Sequence, residues 1–370
     1  MKKTLAAVAV LGAFAGSALA ADVTLYGRVN LGLNYTHVDE GSTDTDSFKL
    51  NSGDATGNRF GLKGSEQISE GLTVGFQLEH GFNSDDGSDG SYTDKAFGRE
   101  ARLYVATNYG TLHMGRFGAL DSGAGSLAVA DKLTAGGTGY GDIIIDQGRV
   151  LKTFSRLDNS IAYTSPAIAG MTFSAMASLG NDGKDAYVKA DGTPVAAEEW
   201  GKGEGSSDVD RYYGLAVKGQ WGAMGAGLVV SQIDKGHDQS PKAEDDAMNV
   251  TAGVNYDFGV AKVFLAGNYY DEGKTAADMD YSQYGVSLTV AAPVASGTLE
   301  AGVGYAVGTN DLAAAGTDDE VKILNVGAMY KYPLSKRTYV YAGVGYDQEE
   351  EYGADKVKTT EVISGITHHF

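Results

Sequence analysis

The 370-residue chain contains no cysteine, so no disulfide contributes to its fold. It has only five prolines, which leaves long stretches free to donate every backbone N–H to a sheet. Cationic tracts are missing too: Lys and Arg number 29 against 48 Asp and Glu, a formal charge of −19 that argues against a nucleic-acid partner. Beyond the first twenty residues no apolar run reaches the ~18 to 20 residues of a membrane-crossing helix, so any crossing must be made by strands. The six histidines, His37, His80, His113, His237, His368 and His369, have no metal-ligand spacing. No Gly-x-Ser-x-Gly nucleophile turn and no complete Asp-x-Asp-x-Asp-Gly calcium loop occur, so the sequence names no catalytic residue, no metal and no cofactor.

At the N-terminus, Lys2 and Lys3 precede an apolar run from Leu5 to Phe14, and Ala18-Leu19-Ala20 supplies small residues for cleavage. Residues 1–20 therefore read as a signal peptide, with the mature chain starting at Ala21. An exported protein has disulfides available to it, so one without them relies on hydrogen bonding or a large core. No Pro/Ser linker or shift in composition divides residues 21–370, and one domain is expected. Its 53 glycines and 22 tyrosines, with β-branched residues in short segments, are strand chemistry.

Period-two alternation runs through the chain. Val23, Leu25, Val29, Leu31, Leu33 and Tyr35 share one face; Thr24, Tyr26, Arg28, Asn30 and Asn34 share the other. The pattern returns at Leu72-Val74-Phe76-Leu78, Met171-Phe173-Ala175-Ala177, Tyr284-Val286-Leu288-Val290 and Val340-Ala342-Val344-Tyr346. About sixteen such segments are present, each near the ~9 to 11 residues that a tilted strand needs to cross a bilayer. Short connections, at Asn108 to Gly110, Pro166 to Gly170, Trp221-Gly222, Asp257 to Gly259, Pro293 to Gly297 and Pro333 to Ser335, alternate with long polar ones. The expected long loops are Asp39 to Ser47, Asn83 to Lys95, Gly180 to Asp210, Asp234 to Asp246, Asp271 to Asp280 and Gly308 to Glu320.

A secreted sandwich or propeller would also alternate. Two features favour a membrane barrel: the apolar faces carry no charge, and tyrosines gather near strand ends, where headgroups would lie. A sheet in hydrocarbon has to close, because every unpaired edge group costs several kcal/mol. At about sixteen strands the bore is too wide for side chains to fill, which implies an aqueous channel. The fold class is thus all-β: a transmembrane antiparallel β-barrel with short periplasmic turns and long external loops.

Several motifs in order, Val23-Thr24-Leu25-Tyr26-Gly27, Asn58-Arg59-Phe60-Gly61-Leu62-Lys63-Gly64, Tyr109-Gly110-Thr111-Leu112-His113-Met114-Gly115-Arg116, Arg156-Leu157-Asp158-Asn159-Ser160 and the terminal His368-His369-Phe370, span the mature chain. In these the chain resembles the general diffusion porins of Gram-negative bacteria, in particular the Neisseria and Burkholderia branch. The resemblance implies an outer-membrane homotrimer passing ions and small hydrophilic solutes, in contact with lipid and lipopolysaccharide. It also implies a third external loop folded inward, here about 117–152, and a terminal Phe370 read by the barrel assembly machinery. Thr367 stands where the family often has arginine.

Parity places Arg28, Arg59, Lys63, Arg102, Arg156 and Lys218 on the lumen side. Arg116 shares parity with the outward Leu112 and Met114, and a bulge is expected to turn it inward. These cations are expected to face third-loop acids Asp121, Asp131, Asp142 and Asp146 across the gap, setting a transverse field for passing ions. The competing readings are a barrel enzyme, whose triad would be spatial rather than sequential, and an adhesin working through its long loops.

Overall fold

The computed structural model describes residues 23–90, 95–129, 132–136, 143–145, 148–180, 209–235, 245–274, 280–311, 319–351 and 355–370. Residues 1–20, expected as the signal peptide, lie outside them.

Among the described residues there are seventeen strands: β1 (Thr24–Glu40), β2 (Thr43–Ser52), β3 (Arg59–Ser69), β4 (Leu72–Gly81), β5 (Glu100–Thr107), β6 (Gly110–Gly118), β7 (Arg156–Thr164), β8 (Met171–Ser178), β9 (Arg211–Trp221), β10 (Met224–Asp234), β11 (Ala247–Asp257), β12 (Lys262–Lys274), β13 (Asp280–Val294), β14 (Gly297–Asp311), β15 (Asp319–Pro333), β16 (Thr338–Glu351) and β17 (Val357–His369). From β3 to β17 each strand pairs antiparallel with the next in the chain, β2 pairs with β1, and β17 returns to β1 from Arg28 opposite His369 to Glu40 opposite Val357. Phe370 completes the seam by exchanging backbone hydrogen bonds with Gly27 at 3.0 and 3.1 Å. Both β2 and β3 pair with β1, one above the other, so they share one stave and the closed barrel has sixteen.

Alternation does the sorting that lipid and water require. Leu25, Leu33, Leu103, Leu215, Tyr284 and Leu288 are exposed on the outer face. Their inward neighbours are polar and covered: Asn30, Asn34, Asn249, Asn268, Gln283 and Asn325. Inside, tyrosine rings lie against glycines of adjacent strands, Tyr26 over Gly61 and Tyr104 over Gly75, which restores the area a strand glycine lacks. This pairing accounts for part of the abundance of both residue types.

The six short connections fall where expected, and Glu70-Gly71 between β3 and β4 is a further one. The expected loop Asp39 to Ser47 is instead a hairpin, with Glu40 opposite Thr43 across a tight turn whose Gly41 has φ of +59°. Its alternating Thr and Asp residues are polar enough to suggest a loop, yet threonine pairs well on a strand that already has a partner. Strands β12 and β14 also run into their expected loops, to Lys274 and Asp311. Most of Gly180 to Asp210 and Asp234 to Asp246 lies outside the described residues.

Candidate functional site: the lumen and its inward loop

The described residues between Gly118 and Arg156 fold into the bore rather than away from it. Three apolar clusters fasten it to the inner wall. Leu120, Leu127 and Val129 pack on Leu157, Met176, Tyr212 and Val229. Leu133, Ile145, Val150 and Leu151 meet Ala266, Ala306, Val321 and Ile323. Ile143 and Ile144 join Met329, Tyr341 and Ile363. A loop of more than thirty residues keeps one position here because these side chains leave water only by seating on that wall. It thereby covers the inner face from β7 round to β17, and none of the three clusters includes a residue of β1 or of β3 to β5, the more open wall of the described structure.

That open wall carries arginine. On β1, Arg28 donates to the Thr56 hydroxyl at 2.7 Å. On β3, Arg59 is buried, donates to the Gly57 carbonyl at 3.1 Å and lies 3.6 Å from Glu79. On β5, Arg102 donates to Gln77 at 2.9 Å and to Nδ1 of His113 at 2.8 Å. Lys63 sits 5.1 Å from the centre of the Tyr26 ring, below the arginines. Arg156 opens β7 opposite Gly118, near enough to Arg59 for their charges to repel. Lys218 reaches across to the Ala128 carbonyl of the loop at 3.3 Å.

Arg116 differs from its expected place. The register slip between Gly115 and Phe117 arises from an extra residue on the partner strand, where Asn159 has φ of +48°. Arg116 therefore keeps the parity of Leu112 and Met114, opposite Ala101, on the side away from the bore. There it donates to the Gly98 carbonyl at 2.6 Å and to Asp158 at 2.7 Å, which also takes Lys95 at 2.6 Å.

Asp121 also departs from the expected arrangement. It faces the barrel wall, fully buried, and accepts hydrogen bonds from Tyr212 at 3.0 Å, Ser231 at 2.6 Å and Asn249 at 2.8 Å. Burial pushes its carboxyl above the usual carboxylate range, although all three donors pull the other way. It fastens the loop and does not line the water. Asp131, Asp142 and Asp146 lie outside the described residues.

Among the described residues, the acids interleaved with the arginines come from the wall. Glu79 on β4 takes Arg99 at 2.7 Å and the Tyr26 hydroxyl at 3.0 Å. Glu100 on β5 takes the Ser126 amide and hydroxyl, both at 2.7 Å, and so ties the loop root to the open wall. Arg99, Glu79 and Glu100 were not singled out in the sequence. Glu79 shares parity with Gln77 and was legible there; Arg99 precedes its strand, where parity has no meaning. On the covered side, Arg149 of the loop pairs with Asp347 at 2.8 Å and with Glu349, while Glu350 pairs with Lys356 at 2.8 Å. The terminal acidic run is therefore partly neutralised.

A closed sixteen-stave barrel, apolar outside and narrowed inside by its own loop, defines a transmembrane diffusion channel. A family model described as Gram-negative porin matches residues 6–352, and the chain belongs to that family. An outer membrane porin protein of Bordetella pertussis is 30% identical over 417 aligned positions covering all of both chains. A major outer membrane protein P.IB of Neisseria gonorrhoeae is 26% identical, again over all of both. Among solved structures, an anion-selective porin from Comamonas acidovorans superposes with a TM-score of 0.62 at 23% identity, covering 95% of this chain and all of that one. The OmpT protein of Vibrio cholerae in its trimer form gives 0.58 at 15%, covering 95% and 100%. The chain is an outer-membrane porin, a conduit for passive diffusion of ions and small hydrophilic solutes.

Proposed function

We propose that this porin prefers anions, and that the arginine wall is the reason. The carrying observation is that Arg28, Arg59, Arg99 and Arg102 stand on the arc of the bore outside the loop's apolar clusters, with Glu79 and Glu100 the acids paired to them among the described residues. A confined excess of positive charge raises the local concentration of anions and excludes cations. The opposing loop acids expected from the sequence are not needed for this reading. The similarity to an anion-selective porin of Comamonas acidovorans supports it.

The same reading includes assembly of three copies, as the trimer form of a structural neighbour suggests, and contact of the outer face with lipid and lipopolysaccharide. Residues 1–20 would be removed on export, and Phe370, half-exposed at the seam, would serve as the assembly signal. The protein works without catalysis, cofactor or metal.

The test is the reversal potential of reconstituted channels in a salt gradient. Its sign should report anions moving more freely, and changing Arg28 and Arg59 together to alanine should move it toward cations. One charge at ~4 Å in water is worth about 1 kcal/mol before screening, so the permeability ratio should change roughly threefold. A cation-selective wild-type channel, or a double variant with an unmoved potential, would overturn the basic wall.

A further inference from the structure

The stave shared by β2 and β3 is interrupted. Arg59 lies opposite Arg28 and Ser52 lies opposite Leu31, so six residues, Gly53 to Asn58, face only Val29 and Asn30. Four residues are surplus to the wall. Turned outward they would carry Asp54, Thr56 and unpaired backbone groups into lipid, at several kcal/mol per unsatisfied group. They turn inward, and all six except Asp54 are buried.

The excursion is closed at its neck. Asn58 donates to the Ser52 hydroxyl at 2.6 Å, and Gly53, with φ of +90°, makes the left-handed turn that brings the chain into contact with Gly57. Asn58 also accepts from the Asn30 amide, which returns to β1 the hydrogen bond that the interruption removed. From this neck the segment lies across the inner face of β1. Its Ala55 packs with Ile143 and Ile144 of the inward loop and with Tyr341 and Ile363 of the far strands. Its returning arm holds both arginines, Arg28 through the Thr56 hydroxyl and Arg59 through the Gly57 carbonyl.

We propose that residues 53–58 form a second constriction element that meets the inward loop and aims Arg28 at the passing ion, with Thr56 as a positioning residue. The proposal rests on the channel reading and deepens it. An arginine side chain has about 2 kcal/mol of rotamer entropy to lose when held in one place. The Arg28 guanidinium, already fixed by the Thr56 hydroxyl, presents its remaining N–H groups to the bore at little further cost. Small residues at Gly53, Ala55 and Gly57 let the segment lie close to the wall, so it narrows the opening without filling it.

The experiment compares unitary conductance and reversal potential in planar bilayers for the full mature chain, Thr56→Val, Thr56→Ser and a deletion of residues 54–57. The deletion restores two residues opposite two. Folding is checked by heat-modifiable mobility on gels. The deletion should raise conductance at least roughly 1.3-fold, because four residues leave the bore. Thr56→Val should lower the anion-to-cation permeability ratio roughly twofold, as expected when a charge swings a few ångströms in screened water. Thr56→Ser should restore the ratio. A folded deletion with wild-type conductance overturns the constriction, and identical ratios in Thr56→Val and wild type overturn the positioning role. Should the deletion not fold, the Val and Ser pair decides alone. A silent wild-type chain would sink the channel itself, an outcome distinct from either.

Discussion

The carbonyl oxygen of Ile143 lies 1.4 Å from the point that a β-carbon on Gly327 would occupy. The inward loop and β15 are in backbone contact there, and no side chain fits between them. Gly304 has the same relation to the Ile145 side chain, at 1.9 Å, so glycines on the covered wall are the seat of the loop.

Gly327→Ala should therefore displace the loop toward the bore. Overpacking of this kind costs about 1–3 kcal/mol, and unitary conductance should fall or become unsteady. Gly267→Ala is the control, since the nearest atom to its added carbon is 3.8 Å away. Equal behaviour of the two variants in urea unfolding and in conductance would refute the seat.

Asp121 gives a pH-dependent prediction. Burial raises its carboxyl above the ordinary 3.8, so the folded chain keeps that proton at a pH where the unfolded chain has lost it. The sign follows: folded stability from this group is greatest below the unfolded value and declines as pH rises through the raised folded value. Asp121→Asn should thus gain stability on wild type as pH climbs from about 4 to 7, read by urea unfolding in detergent. Asp121→Ala, which strands the Tyr212, Ser231 and Asn249 donors, should lose about 3 kcal/mol or more at all pH values. A pH-independent gap between wild type and the Asn variant would contradict the assignment.

Arg116 and Arg59 should separate in function. Arg116 is tied to Asp158 on the side away from the bore, so Arg116→Ala should leave the reversal potential unchanged and cost roughly 1–3 kcal/mol of stability, since a largely covered pair loses one partner while Lys95 still serves Asp158. Arg59→Ala should shift the potential toward cations. An equal shift in both variants would place Arg116 in the lumen after all.

Glu79 lies between Arg59 and Arg99 as their shared counter-charge. Glu79→Gln should raise the anion-to-cation ratio roughly twofold, by adding one net positive charge to a screened wall. It should also destabilise the barrel by about 3 kcal/mol, because two nearly buried guanidinium groups lose their partner. A lower anion preference in this variant would show that Glu79 does not act on the permeating ion.

The barrel itself was legible in the sequence because its causes are local. Leu25-Val29-Leu33 against Tyr26-Arg28-Asn30 needs only the two-residue repeat to sort lipid from water, and closure follows from hydrogen-bond satisfaction in any bilayer. The same parity put Arg28, Arg59 and Arg102 on the inner face. It also put Arg116 with the outward Leu112 and Met114, and the expected bulge does not turn it inward because the extra residue is Asn159 on the next strand; it could not place Arg99, which precedes its strand.

Tertiary structure decided what the bore presents to an ion. Asp121 looks like a channel acid in the sequence and is a wall anchor in the fold, because Tyr212, Ser231 and Asn249 converge on it from strands about 90 to 130 residues later. The Gly53 to Asn58 excursion is visible only in the register with β1, and the seat at Gly327 only where the loop arrives. Alternation is written into each strand by itself, whereas register and loop docking join distant segments. The sequence alone determined an outer-membrane barrel wide enough to conduct, and only the tertiary structure decided which inner faces the loop's apolar side chains cover.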